Sequence, residues 1–296
     1  MTAEKLVRLG PNEVLLLLAI QFLIVFFRAA RFGVVLPGAL YGRLYELYNL
    51  TVLHNFYLTV LPARLGDVYF ASLSRQCLGI SKSVGLSGLI VARIYDVIFL
   101  GLLVVIIVPF TNAQELNQSI QYFSFIAIAG MLMLFKFSKI MKLIVYAASC
   151  LKDVTGKIFF EELANSLLMA MEELDKNMSM MTHIKGFILT VMSWLALMGM
   201  YCYVLYVFEI PDAFLVAVLL VALSNVVLLI PIHSVGGLGV IEAAFTYGLV
   251  LKGLEFSEAV TVAVSMSIVL LLVTVIFASV WYVINLMLKK VLICNQ

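Results

Sequence analysis

Charged residues are scarce in this chain, and no separate soluble domain is visible in it. Only 12% of the 296 residues are Asp, Glu, Lys or Arg, whereas 64% are hydrophobic. A soluble globular protein carries about twice that share of charge and is nearer half apolar. The net charge of +2 gives no indication of nucleic-acid binding. The composition therefore predicts a polytopic helical membrane protein.

Sequence motifs of nucleotide and metal chemistry are also missing. The chain has no P-loop, no dinucleotide fingerprint, no metal cluster and no nucleophile beside a base at readable spacing. Its four cysteines are scattered, so we expect them to serve in packing rather than in disulfides. We expect no cofactor and no enzymatic activity. Active transport would then need a proton, an ion gradient or another subunit.

Five apolar runs are long enough to cross a bilayer as helices, which takes ~20 residues. They lie at residues 13–36, 83–110, 120–137, 183–208 and 257–288. Lys5 and Arg8 precede the first run, but no small-residue cleavage site follows, so we expect a retained first helix. Arg28 and Arg31 stand three apart near its end. We expect them mainly to reach the lipid headgroups, with phosphate binding as the alternative.

Two further apolar regions are interrupted at a proline. Residues 47–62 and 68–78 are each too short to span, and they flank Leu61-Pro-Ala-Arg-Leu-Gly-Asp67. Residues 213–230 and 240–251 flank a second stretch with Pro231, a histidine and three glycines. Unpaired backbone facing lipid costs several kcal/mol per group, so such stretches must pack inside protein or line a wet cavity. The pattern predicts two re-entrant helix hairpins. For the second, a crossing with a return and a plain turn outside the membrane are alternatives.

The distribution of basic residues predicts the sidedness. Lysines between 136 and 185, and at 289–290, mark the cytoplasmic side, whereas 111–118 and 209–212 lack basic residues. The two hairpins then enter from opposite sides, as in an inverted repeat. We therefore predict an all-α fold with a single membrane domain over residues 1–296. Its repeat-like halves, 13–110 and 183–288, are joined by a span and an amphipathic cytoplasmic segment within 111–182.

Charged residues and glycines of the hairpins and of the 83–110 span form the expected site. Arginine forks match phosphate oxygens, helix N-termini attract anions, and glycines let backbone approach a phosphate closely. Carboxylates could balance the arginines or recognise an amine, and a structural ion pair is an equal alternative for the 93/96 pair. We expect Arg28 to matter less than the arginines of this set. The candidate substrate-binding residues are Arg64, Asp67, Arg75, Arg93, Asp96, His233, Gly236, Gly237, Gly239 and Glu242.

Four segments in order resemble the lysylphosphatidylglycerol synthase transmembrane-region family of flippase-like membrane proteins. They are Phe26-Phe-Arg-Ala-Ala-Arg-Phe32, the 61–67 segment, Arg93-Ile-Tyr-Asp96 and Gly236-Gly-Leu-Gly-Val-Ile-Glu242. The chain looks like the membrane half of the bacterial multiple peptide resistance factor, standing without its synthase domain. The family usually has Glu where Asp67 stands, Arg where Phe70 stands and Glu where Ala92 stands.

The resemblance implies a lipid flippase or lipid-binding transporter in the cell membrane. Its substrate would be an anionic, aminoacylated or polyprenyl-phosphate-linked lipid headgroup. The implied partners are membrane lipid and, in addition, a second copy of the chain or a lipid-modifying enzyme. The departures from the family pattern favour an alternative, a non-transporting partner or regulator of a lipid-modifying or glycosyl-transferring enzyme.

Overall fold

The computed structural model describes residues 10–36, 40, 42–62, 65–107, 179–227 and 239–288. Within these ranges the chain is helical and contains no strand. The predicted span at 120–137 and the amphipathic segment lie outside the described residues. The helices are α1 Pro11–Val35, α2 Leu44–Val60, α3 Leu65–Leu78, α4 Lys82–Ile107, α5 Met180–Val207, α6 Ala213–Val227, α7 Val240–Leu251 and α8 Phe256–Met287.

Four of the described helices are long and apolar enough to cross a membrane. These are α1, α4, α5 and α8, and their apolar stretches run from 22 to 32 residues. At ~1.5 Å per residue, even the shortest exceeds the ~30 Å hydrocarbon core of a bilayer. They match the spans predicted at 13–36, 83–110, 183–208 and 257–288 within a few residues. For the part of the chain that the structure describes, the prediction of an all-helical, multi-pass membrane protein is confirmed.

Several helix starts follow local sequence signals. Pro11 opens α1, a position where its missing N–H is not needed. The Ser179 hydroxyl accepts a hydrogen bond from the Thr182 N–H at 3.2 Å and caps α5. Before α7, Gly239 has a φ of 87°, and its N–H donates to Glu242 Oε2 at 2.6 Å. These contacts close first turns whose N–H groups lack partners within the helix.

The helices α2 and α3 form a tight antiparallel pair. The rings of Tyr57 and Tyr69 lie 4.5 Å apart, and those of His54 and Phe70 lie 4.8 Å apart. A Cβ on Gly66 would stand 2.5 Å from the Leu58 nitrogen, so only glycine lets α3 begin this close to α2. With 17 and 14 residues the helices are about 25 and 21 Å long, shorter than the ~30 Å apolar core.

The helices α6 and α7 pack together in the second half of the chain. A Cβ on Gly248 would lie 2.6 Å from Leu220 Cδ2 and 3.1 Å from Leu223 Cδ1, which shows how closely the two helices approach. They contain 15 and 12 residues. Residues 228–238, which connect them and include Pro231, lie outside the described residues. The helix pair is therefore observed, but not its tip.

Buried apolar side chains form two clusters, and α1 contributes to both. In a membrane, such contacts stabilise the bundle by close packing rather than by exclusion of water. The first cluster joins α1 and α4 to α5, α6, α7 and α8, and the second joins α1 to α2, α3 and α4. Fully buried members are Leu17, Val204, Leu220, Phe245 and Met266 in the first, and Val25, Phe32, Leu50, Phe70 and Ala92 in the second.

One expectation about the cysteines is wrong. Cys77, near the end of α3, is disulfide-bonded, whereas Cys202 in α5 is free. A single bridge requires no repeated spacing, because it needs only that two cysteines come close in the fold. The scattered positions therefore gave no signal for it.

Candidate functional site

Alternating charges cross the helix bundle between α1, α4 and α3. Arg31 Nη1 lies 2.7 Å from Asp96 Oδ1, and Arg93 Nη1 lies 3.5 Å from Asp96 Oδ2. Arg93 Nη2 in turn lies 2.6 Å from Asp67 Oδ1. His54 Nε2, on α2, completes the series at 3.0 Å from the same Asp67 oxygen. We call these five residues the ion-pair network.

The deepest part of the ion-pair network is the contact between Arg31 and Asp96. These residues are 3% and 8% exposed. The Trp194 indole N–H donates to Asp96 Oδ1 at 3.0 Å, and Arg31 Nη1 also donates to Thr190 Oγ1 at 3.2 Å. Buried charges are tolerated when they are paired and hydrogen-bonded. The pair therefore requires α1, α4 and α5 to lie together.

The hairpin end of the ion-pair network is more accessible. Asp67 is in the first turn of α3, where a carboxylate interacts favourably with the helix dipole. Its side chain is 20% exposed, and that of Arg93 is 36% exposed. The Arg93 guanidinium touches both aspartates, so it links α4 to the α2–α3 hairpin.

Arg28 lies one turn before Arg31 but outside the ion-pair network. Its Nη1 donates to Asn55 Oδ1 on α2 at 2.9 Å. Among the described residues, no carboxylate forms an ion pair with it. The side chain lines a cavity of about 170 Å³, which we call the Arg28 cavity. Its polar lining consists of Gln21, Arg28, Asn55, Thr59, Tyr201 and Thr274.

The Arg28 cavity lies near the middle of the long helices. Leu270 and Thr274, which line it, are close to the centre of α8. Leu58 and Thr59 come from the last turn of α2. The end of α2 therefore reaches a level about halfway along α8.

The structure brings together part of the predicted site. Arg93 contacts both Asp67 and Asp96, which confirms the predicted pairing of Arg93 with Asp96. Arg75 is exposed eight residues farther along α3, about 12 Å from Asp67 along the helix axis, and makes no ion pair with the described residues. Glu242 caps α7 through Gly239 and forms no ion pair with an arginine of the described ranges. The candidates Arg64, His233, Gly236 and Gly237 lie outside the described residues.

The expectation that the first arginine pair reaches the headgroups is wrong for Arg31. Its guanidinium is buried against Asp96, 65 residues later in the chain. Arg28 is half-buried and faces the Arg28 cavity rather than a helix end. The sequence signal for this location was the charge of the two arginines within a span, because such a charge usually faces protein or a wet cavity. His54 and Asn55 were equally hard to assign, since nothing in sequence identifies their partners.

Comparison with known proteins gives one match. A family model described as the lysylphosphatidylglycerol synthase TM region matches residues 2–278, which include the ion-pair network and the Arg28 cavity. No curated protein matches the chain, and no solved structure matches it.

Proposed function

Because the chain belongs to the lysylphosphatidylglycerol synthase transmembrane-region family, we propose that it binds a lipid headgroup within the bilayer and moves it across. The headgroup is anionic, aminoacylated or linked through polyprenyl phosphate. One observation carries the proposal, namely the ion-pair network beside the Arg28 cavity in the interior of the bundle. Charged groups are costly inside a membrane, and they mark substrate and ion pathways.

The α2–α3 pair is, in this proposal, a half-membrane hairpin. At the start of α2, the Tyr45 hydroxyl hydrogen-bonds Asn285, near the end of α8. At the end of α2, Thr59 shares the Arg28 cavity with Thr274, near the centre of α8. α2 thus follows α8 from one end to about its middle, as expected of a helix that enters a membrane and stops. This course supports a re-entrant arrangement.

The α6–α7 pair is the second hairpin of the proposed inverted repeat. Each pair of short helices is flanked by two long ones, α1 and α4 in one half and α5 and α8 in the other. Transporters with this organisation place their substrate sites near the midplane, where broken helices meet. The halves correspond to residues 13–110 and 183–288 of a single domain. The sidedness inferred from lysine distribution stays a prediction.

Arg93 is the group that would respond to a headgroup in this mechanism. It is the most exposed member of the Arg31–Asp96–Arg93–Asp67 series, and it contacts both carboxylates. A phosphate that reaches Arg93 competes with Asp67, whose carboxylate forms the ion pair between this arginine and the α2–α3 hairpin. Loss of that ion pair would allow the hairpin to move relative to α4 while the acyl chains remain in lipid. No cofactor and no covalent chemistry are needed, and the cell membrane is the proposed location.

A vesicle assay tests the proposal. The full chain is reconstituted into liposomes that carry a fluorescent phospholipid in both leaflets, and dithionite then quenches the outer leaflet. We expect the protein to increase the quenched fraction with time, and we expect Arg93→Ala and Asp67→Asn to slow this increase. Lys82→Ala is the control, because it removes an exposed cation of α4 that is outside the ion-pair network. Fluorescence that decays as in protein-free vesicles would contradict transport.

A second candidate function is that of a non-transporting partner of a lipid-modifying or glycosyl-transferring enzyme. The observation that favours it is the series of ion pairs among Arg31, Asp96, Arg93 and Asp67, whose charges balance one another without a ligand. Purification from native membranes distinguishes the two. Retention of such an enzyme, together with lipid movement no faster than in empty vesicles, would support the partner role.

A further inference from the structure

Arg28 is the excess cation of the described bundle interior. The three arginines at positions 28, 31 and 93 face two carboxylates, Asp67 and Asp96. Both carboxylates are already in contact with Arg31 or Arg93, and His54 would only add positive charge if it were protonated. One positive charge therefore remains without a counter-ion among the described residues. It lies at the wall of the Arg28 cavity.

A hydrogen-bond donor beside Arg28 also lacks an acceptor. Asn55 is 7% exposed; its Oδ1 accepts from Arg28, and its Nδ2 has no hydrogen-bond partner among the described residues. Gln21, which is 5% exposed, also lines the cavity. Buried polar groups in proteins are nearly always satisfied by protein, water or ligand. An excess positive charge and an unpaired N–H donor therefore lie at the same cavity.

We propose that the Arg28 cavity binds the phosphate of a lipid whose headgroup carries one net negative charge, an inference that rests on the lipid-handling function proposed above. A guanidinium can donate to two phosphate oxygens at once, and Asn55 supplies a further N–H next to it. The volume of about 170 Å³ is far above the ~10–15 Å³ that one water needs, so a polyatomic group has room. The single excess charge of Arg28 matches the single charge of a phosphodiester.

The same lining disfavours an aminoacylated headgroup. An added ammonium would need a carboxylate or several acceptors, and the described lining contains one arginine and no carboxylate. Repulsion between this ammonium and the Arg28 guanidinium would weaken the binding of an aminoacylated headgroup further. The substrate class at this cavity is therefore an unmodified anionic phospholipid rather than its lysyl ester.

The surroundings of the cavity favour a lipid over a soluble phosphate. Apolar side chains, including Ile24, Leu58 and Leu270, make up the rest of the lining. The cavity is near the centre of α8, which is long enough to span a membrane. A phosphate attached to acyl chains can reach this depth while its chains remain in lipid, whereas a free ion would leave water entirely.

Binding to the full chain in detergent tests the inference. The probes are fluorescent phosphatidylglycerol, lysyl-phosphatidylglycerol and phosphatidylcholine, with glycerol 3-phosphate as soluble competitor. We expect the wild type to bind phosphatidylglycerol most tightly. Arg28→Ala should weaken that binding by about 10- to 100-fold, as expected for loss of charge-assisted hydrogen bonds. Arg28→Lys should restore part of it, and Lys82→Ala, at an exposed lysine of α4, should leave it unchanged.

Three outcomes would overturn the inference. They are wild-type affinity in Arg28→Ala, equal wild-type affinity for the lysyl ester, and Arg28-dependent binding of glycerol 3-phosphate without lipid binding. The wild-type ranking of the three lipids needs no variant, so it decides the question even if Arg28→Ala does not fold. If the wild type moves lipid in vesicles but Arg28→Ala binds phosphatidylglycerol as tightly as the wild type, the phosphate site is refuted and the proposed function is not. Neither binding nor movement of any lipid by the wild type would refute the proposed function as well.

Discussion

The charge of Asp96 should be essential to the stability of the bundle. Asp96→Asn keeps an oxygen for the Trp194 indole N–H, but it leaves Arg31, 3% exposed, without a carboxylate. Removing one partner of a buried ion pair typically costs about 3–5 kcal/mol, because the other charge stays buried and uncompensated. A chain of this size loses roughly 2 °C of melting temperature per kcal/mol. We therefore expect the melting temperature to fall by roughly 6–10 °C.

Thermal unfolding of the purified protein in detergent, followed by tryptophan fluorescence, measures this effect. The control is Asp212→Asn, the same chemical change at an exposed residue. Asp212 has a φ of 50°, a conformation that asparagine also adopts readily. The melting temperature of the Asp212→Asn variant should therefore stay near that of the wild type. If Asp96→Asn melted together with Asp212→Asn, the charge of Asp96 would not stabilise the bundle and the reasoning would be refuted.

A paired substitution separates charge balance from packing. Arg31→Met combined with Asp96→Leu removes both charges and leaves Arg93 paired with Asp67. Replacing a buried ion pair with apolar residues of similar size is often neutral or stabilising. The double variant should therefore melt well above Asp96→Asn. A melting temperature lower than that of Asp96→Asn would show that the shape of these side chains matters more than their charge.

Two further predictions concern backbone features. Gly66→Ala should lower the melting temperature and open the hairpin, because its Cβ would stand 2.5 Å from the Leu58 nitrogen. Gly199→Ala is the control and should leave the melting temperature unchanged, because a Cβ there would have nothing within 4 Å. Equal melting temperatures of the two variants would contradict this packing. Glu242→Ala should lower the free energy of unfolding by about 1 kcal/mol, because it removes the acceptor of the Gly239 N–H. Hydrogen exchange should then show faster opening of the first turn of α7. Glu242→Gln should largely keep the wild-type exchange rate, since its amide oxygen can still accept this hydrogen bond. Unchanged exchange in Glu242→Ala would argue against the cap.

The helices could be predicted from the sequence because length and apolarity are local properties. The described spans lie within a few residues of the expected ranges, and the short α2 and α3 were anticipated from Pro62 and Gly66. The pairing of Arg93 with Asp96 could also be predicted, since residues three apart share a helix face. The family membership followed from four short motifs that occur in the right order.

The partners of the buried arginines could not be predicted in the same way. Arg31 meets Asp96 across 65 residues of sequence, and Thr190 across 159. Which side of α1 turns toward α4 depends on packing of the whole bundle, and periodicity carries no such information. For the same reason Arg28 was assigned to the headgroup level, although its partner Asn55 and the cavity place it inside the protein.

The contact between Arg31 and Asp96 also has a consequence for how the chain is inserted. α1 leaves the ribosome before α4 and α5, with two arginines in its second half. A charged residue raises the apparent cost of integrating a helix, by about 2.5–3.5 kcal/mol when it is at the helix centre. The carboxylate that neutralises Arg31 arrives only with α4, and the tryptophan that supports it only with α5. Until then α1 needs shelter from lipid, at the translocon or a chaperone. The order of synthesis thus makes the first helix depend on later ones.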